Sequence, residues 1–184
     1  MRALILALAA AAGAGPAPGQ TPETPRLRPR ALKRVALLGD PAWRHGDDVT
    51  CIAPLEGGRR VLSSGNDGLA RLWDGRTGRE IRRFRHSSEQ YCWHAALLPG
   101  RGEFLTAGSE DQVCRWDLDT GKRLATYKHA KMTFRVAVHP DGKTFAAGDN
   151  KNLIYLWDIE TGKLVQRFEG HKGSVYTVQF TDGG

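Results

Sequence analysis

The chain has 184 residues, 40% hydrophobic and 26% charged, with 27 Lys and Arg against 20 Asp and Glu for a formal net charge of +7. That apolar fraction is enough for a packed core, so globular is the starting class. The basic excess is not gathered for nucleic acid: its densest run, Arg26, Arg28, Arg30, Lys33 and Arg34, lies in and just after a Pro-rich stretch. Arg82, Arg83 and Arg85 fall in one expected edge strand, where charge blocks unwanted pairing.

The first residues, Met1 and Arg2, precede an apolar run from Ala3 to Ala12 and an Ala-x-Ala site at Ala12-Gly13-Ala14. A charged start, a short hydrophobic segment and small residues at its end are the pattern of a cleaved signal peptide, expected over 1–14. The run is too short for a membrane-spanning helix, which needs about 20 apolar residues. Residues 15–30, GPAPGQTPETPRLRPR, are rich in Pro and poor in large apolar residues, the composition of an extended linker. No second span follows, so the expectation is an exported protein, periplasmic or extracellular, with no membrane span after cleavage. Three cysteines, Cys51, Cys92 and Cys114, lack CxxC spacing and form neither a disulfide framework nor a zinc ribbon; buried thiols are expected, and a single oxidised pair stays open.

From about residue 31 the chain repeats itself. LARLWDGRTGREIRRFRH, VCRWDLDTGKRLATYKH and IYLWDIETGKLVQRFEGH align, with Trp-Asp pairs at Trp73-Asp74, Trp116-Asp117 and Trp157-Asp158, about 42 residues apart. Each pair is followed by Thr-Gly and a base, and each segment closes on a His. Within a unit the apolar periodicity is that of short strands broken by Gly, Asn and Asp, and Asn66-Asp67-Gly68 and Asp141-Gly142 supply residues that reverse the chain.

These segments resemble the WD-repeat family, in an exported bacterial form, whose blades are four-stranded antiparallel sheets around a channel. The resemblance implies an all-β fold: a partial β-propeller of three complete blades, in units of about 45–86, 87–129 and 130–171, and the first strand of a fourth in 172–184. It also implies a hydrogen-bonded cluster in each blade, of a loop His, a hydroxyl on the second strand, an acid in the next turn and the Trp. The first unit supplies His45, Ser63, Asp67 and Trp73. The second supplies His86, Thr106, Glu110 and Trp116, with Asp111 beside the acid. The third keeps His129 and Trp157, but Ala147 and Lys151 take the hydroxyl and acid positions, so its network is expected to be broken and its blade held by packing. His171 opens the fourth unit, with a strand expected over Val175 to Phe180. Residues 32–38 read as the strand that clasps such a ring shut. Three blades cannot close around a channel, so the chain is expected to be the N-terminal portion of a longer propeller, or to self-associate if it is complete.

No catalytic residue, cofactor or metal site is expected. Asp141-Gly142-Lys143-Thr144 lacks the glycine of a phosphate loop, since Ala137 stands there, and Asp117-Leu118-Asp119-Thr120-Gly121 is one copy of a repeated turn. His45, His86, His129 and His171 recur once per unit, which marks them as loop residues; His94 and His139 do not recur together. In such a family, function lies on the face where the first strands begin. There the resemblance places Tyr91, Trp93, Met132, Phe134 and Tyr176 as anchors, with Asn66 and Ser109 as polar contacts. Packing of the aromatics between blades is the competing reading. The expected function is a non-enzymatic scaffold for protein or peptide partners; the alternative is an accessory module of a longer enzyme or signalling protein whose catalytic part lies beyond residue 184.

Overall fold

The computed structural model describes residues 44–88, 91–129 and 132–181. The expected signal peptide, linker and clasping strand at 32–38 lie outside these residues.

The described residues form three four-stranded antiparallel sheets, each a meander in chain order. The first holds β1 (Val49–Leu55), β2 (Arg60–Gly65), β3 (Leu69–Asp74) and β4 (Glu80–Arg85). The second holds β5 (Cys92–Leu97), β6 (Glu103–Gly108), β7 (Gln112–Asp117) and β8 (Arg123–Lys128). The third holds β9 (Thr133–Val138), β10 (Thr144–Asp149), β11 (Ile154–Asp158) and β12 (Leu164–Phe168). Consecutive sheets meet along their first strands, β1 on β5 and β5 on β9.

The Trp-Asp pairs earn their recurrence in the turn from third to fourth strand. Asp74 Oδ1 accepts the N–H of Thr77 at 2.7 Å, Asp117 that of Thr120 at 2.6 Å, and Asp158 that of Thr161 at 2.7 Å. Those hydrogen bonds hold all three carboxyls below the usual carboxylate range. The glycine after each Thr has positive φ, 73°, 78° and 66°, which a side chain would resist.

Apolar side chains fill the spaces between sheets. Leu62, Leu72 and Phe84 of the first sheet pack with Ala95, Phe104, Trp116 and Leu118 of the second; Leu105, Val113 and Tyr127 of the second pack with Phe145, Trp157 and Ile159 of the third. The same edge-on aromatic triple recurs at both boundaries: Phe84 lies 4.7 Å from Phe104 and 5.9 Å from Trp116, and Tyr127 lies 4.8 Å from Phe145 and 6.0 Å from Trp157. Burying each such ring is worth about 1.5–3 kcal/mol. Phe168, at the corresponding place on β12, is 42% exposed where Phe84 and Tyr127 are each 1% exposed.

Polar staples cross the same boundaries. Arg60 donates to Asp119 at 2.8 Å; Arg115 donates to Glu160 and to the Ile159 carbonyl, each at 3.2 Å, while Tyr127 donates to that carbonyl at 2.7 Å. A fourth unit is begun beyond the third sheet: the Val175 N–H donates to the Asp149 carbonyl at 2.8 Å, and Val175 packs on Gly148. The stretch expected as a strand from Val175 to Phe180 pairs with no strand among the described residues, so it lies against the third sheet without a ladder of its own.

Candidate interaction face

The three Trp-centred clusters differ in ways that follow from single residues. In the first sheet the Trp73 indole N–H donates to Ser63 Oγ at 2.8 Å, His45 Nε2 lies 2.7 Å from that oxygen, and His45 Nδ1 lies 2.8 Å from Asp67 Oδ1. Asp67 also accepts from the Gly46 N–H and Arg71, both at 2.8 Å. Burial works against its charge, but these hydrogen bonds outweigh it and hold the carboxyl at about 2.

In the second sheet Trp116 donates to Thr106 at 2.8 Å, but the imidazole is reversed: His86 Nδ1 faces Thr106 at 2.9 Å and buried Nε2 has no partner. Glu110 does not reach it, being bonded to the Gln112 amide instead. Burial therefore drives His86 down to about 4, with Glu110 opposing and Arg123 assisting.

In the third sheet Ala147 stands across from Tyr155 as Ser63 stands across from Arg71, and Trp157 Nε1 is buried without a partner. His129 bonds Thr133 instead. Packing is not the only restraint here. Asp149, fully buried, accepts the Lys151 and Leu153 N–H groups at 2.8 Å and the Tyr155 hydroxyl at 3.2 Å. Asp149 holds the register position of Gly65 and Gly108, which the repeat pattern did not single out. His171 is exposed and takes part in no such cluster among the described residues.

The first strand of each sheet carries a bulge at the same place, after Val49, Cys92 and Thr133, so that Thr50, Trp93 and Phe134 have no opposite residue in the ladder. A bulge turns its residue and the next toward one side, re-aiming both. The result is a row of rings across the sheets. Tyr91 stacks on Trp93 at 5.8 Å and Trp93 on Phe134 at 5.0 Å, while Tyr176 meets Phe134 at 4.8 Å in a tilted contact. Trp93 and Phe134 are half-buried, whereas Tyr91 is 46% and Tyr176 69% exposed. The rings therefore pack across the sheet boundaries, as the competing reading expects, while Tyr91 and Tyr176 stay exposed.

The turns behind the ladder tie it down. The Tyr91 N–H donates to Ser109 Oγ at 2.9 Å, and the N–H groups of Asn66, Ser109 and Asn150 donate to the carbonyls of Asp48, Tyr91 and Met132. Met132 is half-buried and serves through that carbonyl; Asn150, equivalent to Asn66, escaped the sequence reading because Asp149 replaces the guiding glycine. The next residues along the strands, His94 and Arg135, also escaped it, since a bulge leaves no mark in the alternation of apolar residues. Among the described residues no group of three or more His, Cys, Asp or Glu is placed to hold a metal ion, and Cys51, Cys92 and Cys114 are free thiols.

The model of the WD domain, G-beta repeat, matches residues 43–74 and 121–158. These matches support a WD-repeat family. WD domains are generally non-catalytic and typically mediate contacts between proteins, so these repeats and their blades suggest a protein-interaction module. The first matched stretch ends at Asp74 and the second begins at Gly121, so most of the second unit, Trp116 included, lies between them. A search of the curated proteins finds no match.

Proposed function

We propose that this WD-repeat chain is an exported, non-enzymatic scaffold whose aromatic face docks a protein or peptide partner. The observation that carries the reading is the ladder Tyr91, Trp93, Phe134 and Tyr176, four rings in unbroken contact that keep accessible edges. Interfaces draw much of their energy from such rigid aromatic anchors, which bury large areas at little cost in side-chain entropy. A non-catalytic role fits the fate of the acidic residues that resemble catalytic ones, since Asp117 is spent capping its own turn and Asp141 accepts the Lys143 N–H. Protein rather than nucleic acid is favoured because Arg83 is paired with Glu80 and Arg82 with the Thr120 carbonyl. Export rests on the composition of residues 1–14.

Photo-crosslinking tests the docking face. A benzophenone side chain is placed at Tyr176 in one variant and at Leu124, exposed on the outer strand β8, in another. A discrete adduct from position 176 and none from 124 is expected; equal labelling from both contradicts the assignment. Fusion of residues 1–30 to a phosphatase active only outside the cytoplasm tests export, and an inactive fusion rejects it.

A further inference from the structure

Immediately after the bulge residues, the first strands carry Cys51, His94 and Arg135 in equivalent register, opposite Ser64, Ala107 and Gly148. Arg135 is exposed; among the described residues its guanidinium donates one hydrogen bond, to Thr177 Oγ1 at 3.4 Å, and meets no carboxylate. Arg60, Arg71, Arg83, Arg101, Arg115 and Arg167 each do. On the neighbouring strand His94 keeps a buried Nδ1 without a partner. Burial first, and the positive charge of Arg135 second, push its imidazole down to about 4, so near neutral pH the ring is uncharged and the guanidinium stands alone. On β1, Cys51 turns its thiol to the Ala95 carbonyl.

The ladder beside this pair adds a second, independent preference. Because Trp93 is stacked between Tyr91 and Phe134 at interplanar angles of 24° and 23°, its faces are covered and the part that this half-buried ring leaves open is its edge. Aromatic edges are the electropositive part of the ring and favour carboxylate and carbonyl oxygens. From Tyr91 to Tyr176 the row spans at most about 15 Å, room for up to four or five residues of extended chain at about 3.3 Å each.

We infer that this face selects an extended protein segment bearing an acidic side chain, which sets its carboxylate on Arg135 beside His94 while its apolar neighbours lie along the ladder. The inference rests on the docking face proposed above and names the partner's chemistry. A guanidinium binds a carboxylate through two parallel N–H donors, a geometry that an amide cannot match.

The test uses the full chain and two synthetic pentapeptides blocked at both ends, Phe-Asp-Leu-Asp-Phe and Phe-Asn-Leu-Asn-Phe, with affinity measured by calorimetry and the site followed by the His94 ring resonances. The acidic peptide is expected to bind at least about tenfold more tightly than the amide peptide, as a charge-assisted bond of about 1.5–3 kcal/mol requires. It should move the His94 resonances. Arg135→Gln should bring the two affinities within about twofold, and Arg135→Lys, which keeps the charge, should restore part of the preference. Equal affinity of both peptides for the parent chain overturns the acidic selection and leaves the aromatic face standing. A Gln variant that discriminates as well as the parent, or no binding of the acidic peptide at millimolar concentration, also overturns it, and the crosslinking at position 176 then judges the face by itself.

Discussion

The indole N–H of Trp116 donates to Thr106 Oγ1 at 2.8 Å, the bond that Trp73 makes to Ser63, whereas Trp157 finds Ala147 in that place and its buried nitrogen has no partner. One hydroxyl therefore separates a partnered from an unpartnered indole. Ser63→Ala removes the oxygen shared by the Trp73 N–H and His45 Nε2 and should cost about 1–3 kcal/mol. Ala147→Ser offers Trp157 an acceptor and should add about 1 kcal/mol. Chemical unfolding midpoints of the two variants check both signs, and equal losses in both would contradict the assignment.

Acidification should destabilise the protein in two stages. Burial lowers the folded-state pKa of His86 from 6.5 to about 4, so the unfolded chain binds more protons there, and its contribution is present above about pH 6.5 and is lost as pH falls toward 4. Asp67, lowered from 3.8 to about 2, contributes above about pH 4 and is lost between there and about pH 2. Thermal melting should thus fall from pH 6.5 downward. His86→Phe should reduce the upper stage while losing the Thr106 bond, leaving the share of His94, which is also held at about 4, and Asp67→Asn should reduce the lower one by on the order of 1–2 kcal/mol after allowance for solvent screening.

Arg115 joins the second and third sheets by donating to Glu103 at 2.6 Å and to Glu160 and the Ile159 carbonyl. Removing a largely buried cation leaves Glu103 and that carbonyl short of donors. Arg115→Met should cost about 3 kcal/mol, a figure drawn from broken buried pairs. Because Glu160 is exposed, Glu160→Gln should cost less than about 1 kcal/mol. Unfolding of the pair of variants decides the ranking.

Gly108 couples stability to the docking face. A Cβ there would lie 1.9 Å from the Tyr91 carbonyl and 3.0 Å from the His86 ring, so Gly108→Ala must push the backbone of the ladder's first residue aside. Loss of more than about 2 kcal/mol is expected, with changed Trp93 fluorescence as the stacked Tyr91 moves. Gly100→Ala is the comparison: nothing lies within 4 Å of its Cβ, so its cost comes from its φ of +67° alone and leaves the fluorescence unchanged.

The repeat was legible because its signals are local. Asp74, Asp117 and Asp158 cap turns that a Thr-Gly pair closes three residues later, and such chemistry is written within five residues. The cluster of the first sheet, whose members His45 and Trp73 stand 28 residues apart, was expected only through the family resemblance and not from any local pattern. Three further features were not legible. A bulge at Trp93 or Phe134 shifts register by one residue without altering composition, so the companions His94 and Arg135 stayed hidden. The reversed His86 ring depends on where the Glu110 carboxylate settles. Asp149, in a place that glycine fills twice, became a buried turn cap because β11 supplies the Tyr155 hydroxyl across the strand pair.

The most direct measurement compares melting and crosslinked-partner capture for the double variant Trp93→Ala, Phe134→Ala. The docking account predicts a melting temperature lowered by only a few degrees, since both rings are half-buried at one rim, together with loss of the adduct formed from position 176. Collapse of the folded state, or a folded variant that still captures the same partner, would contradict it.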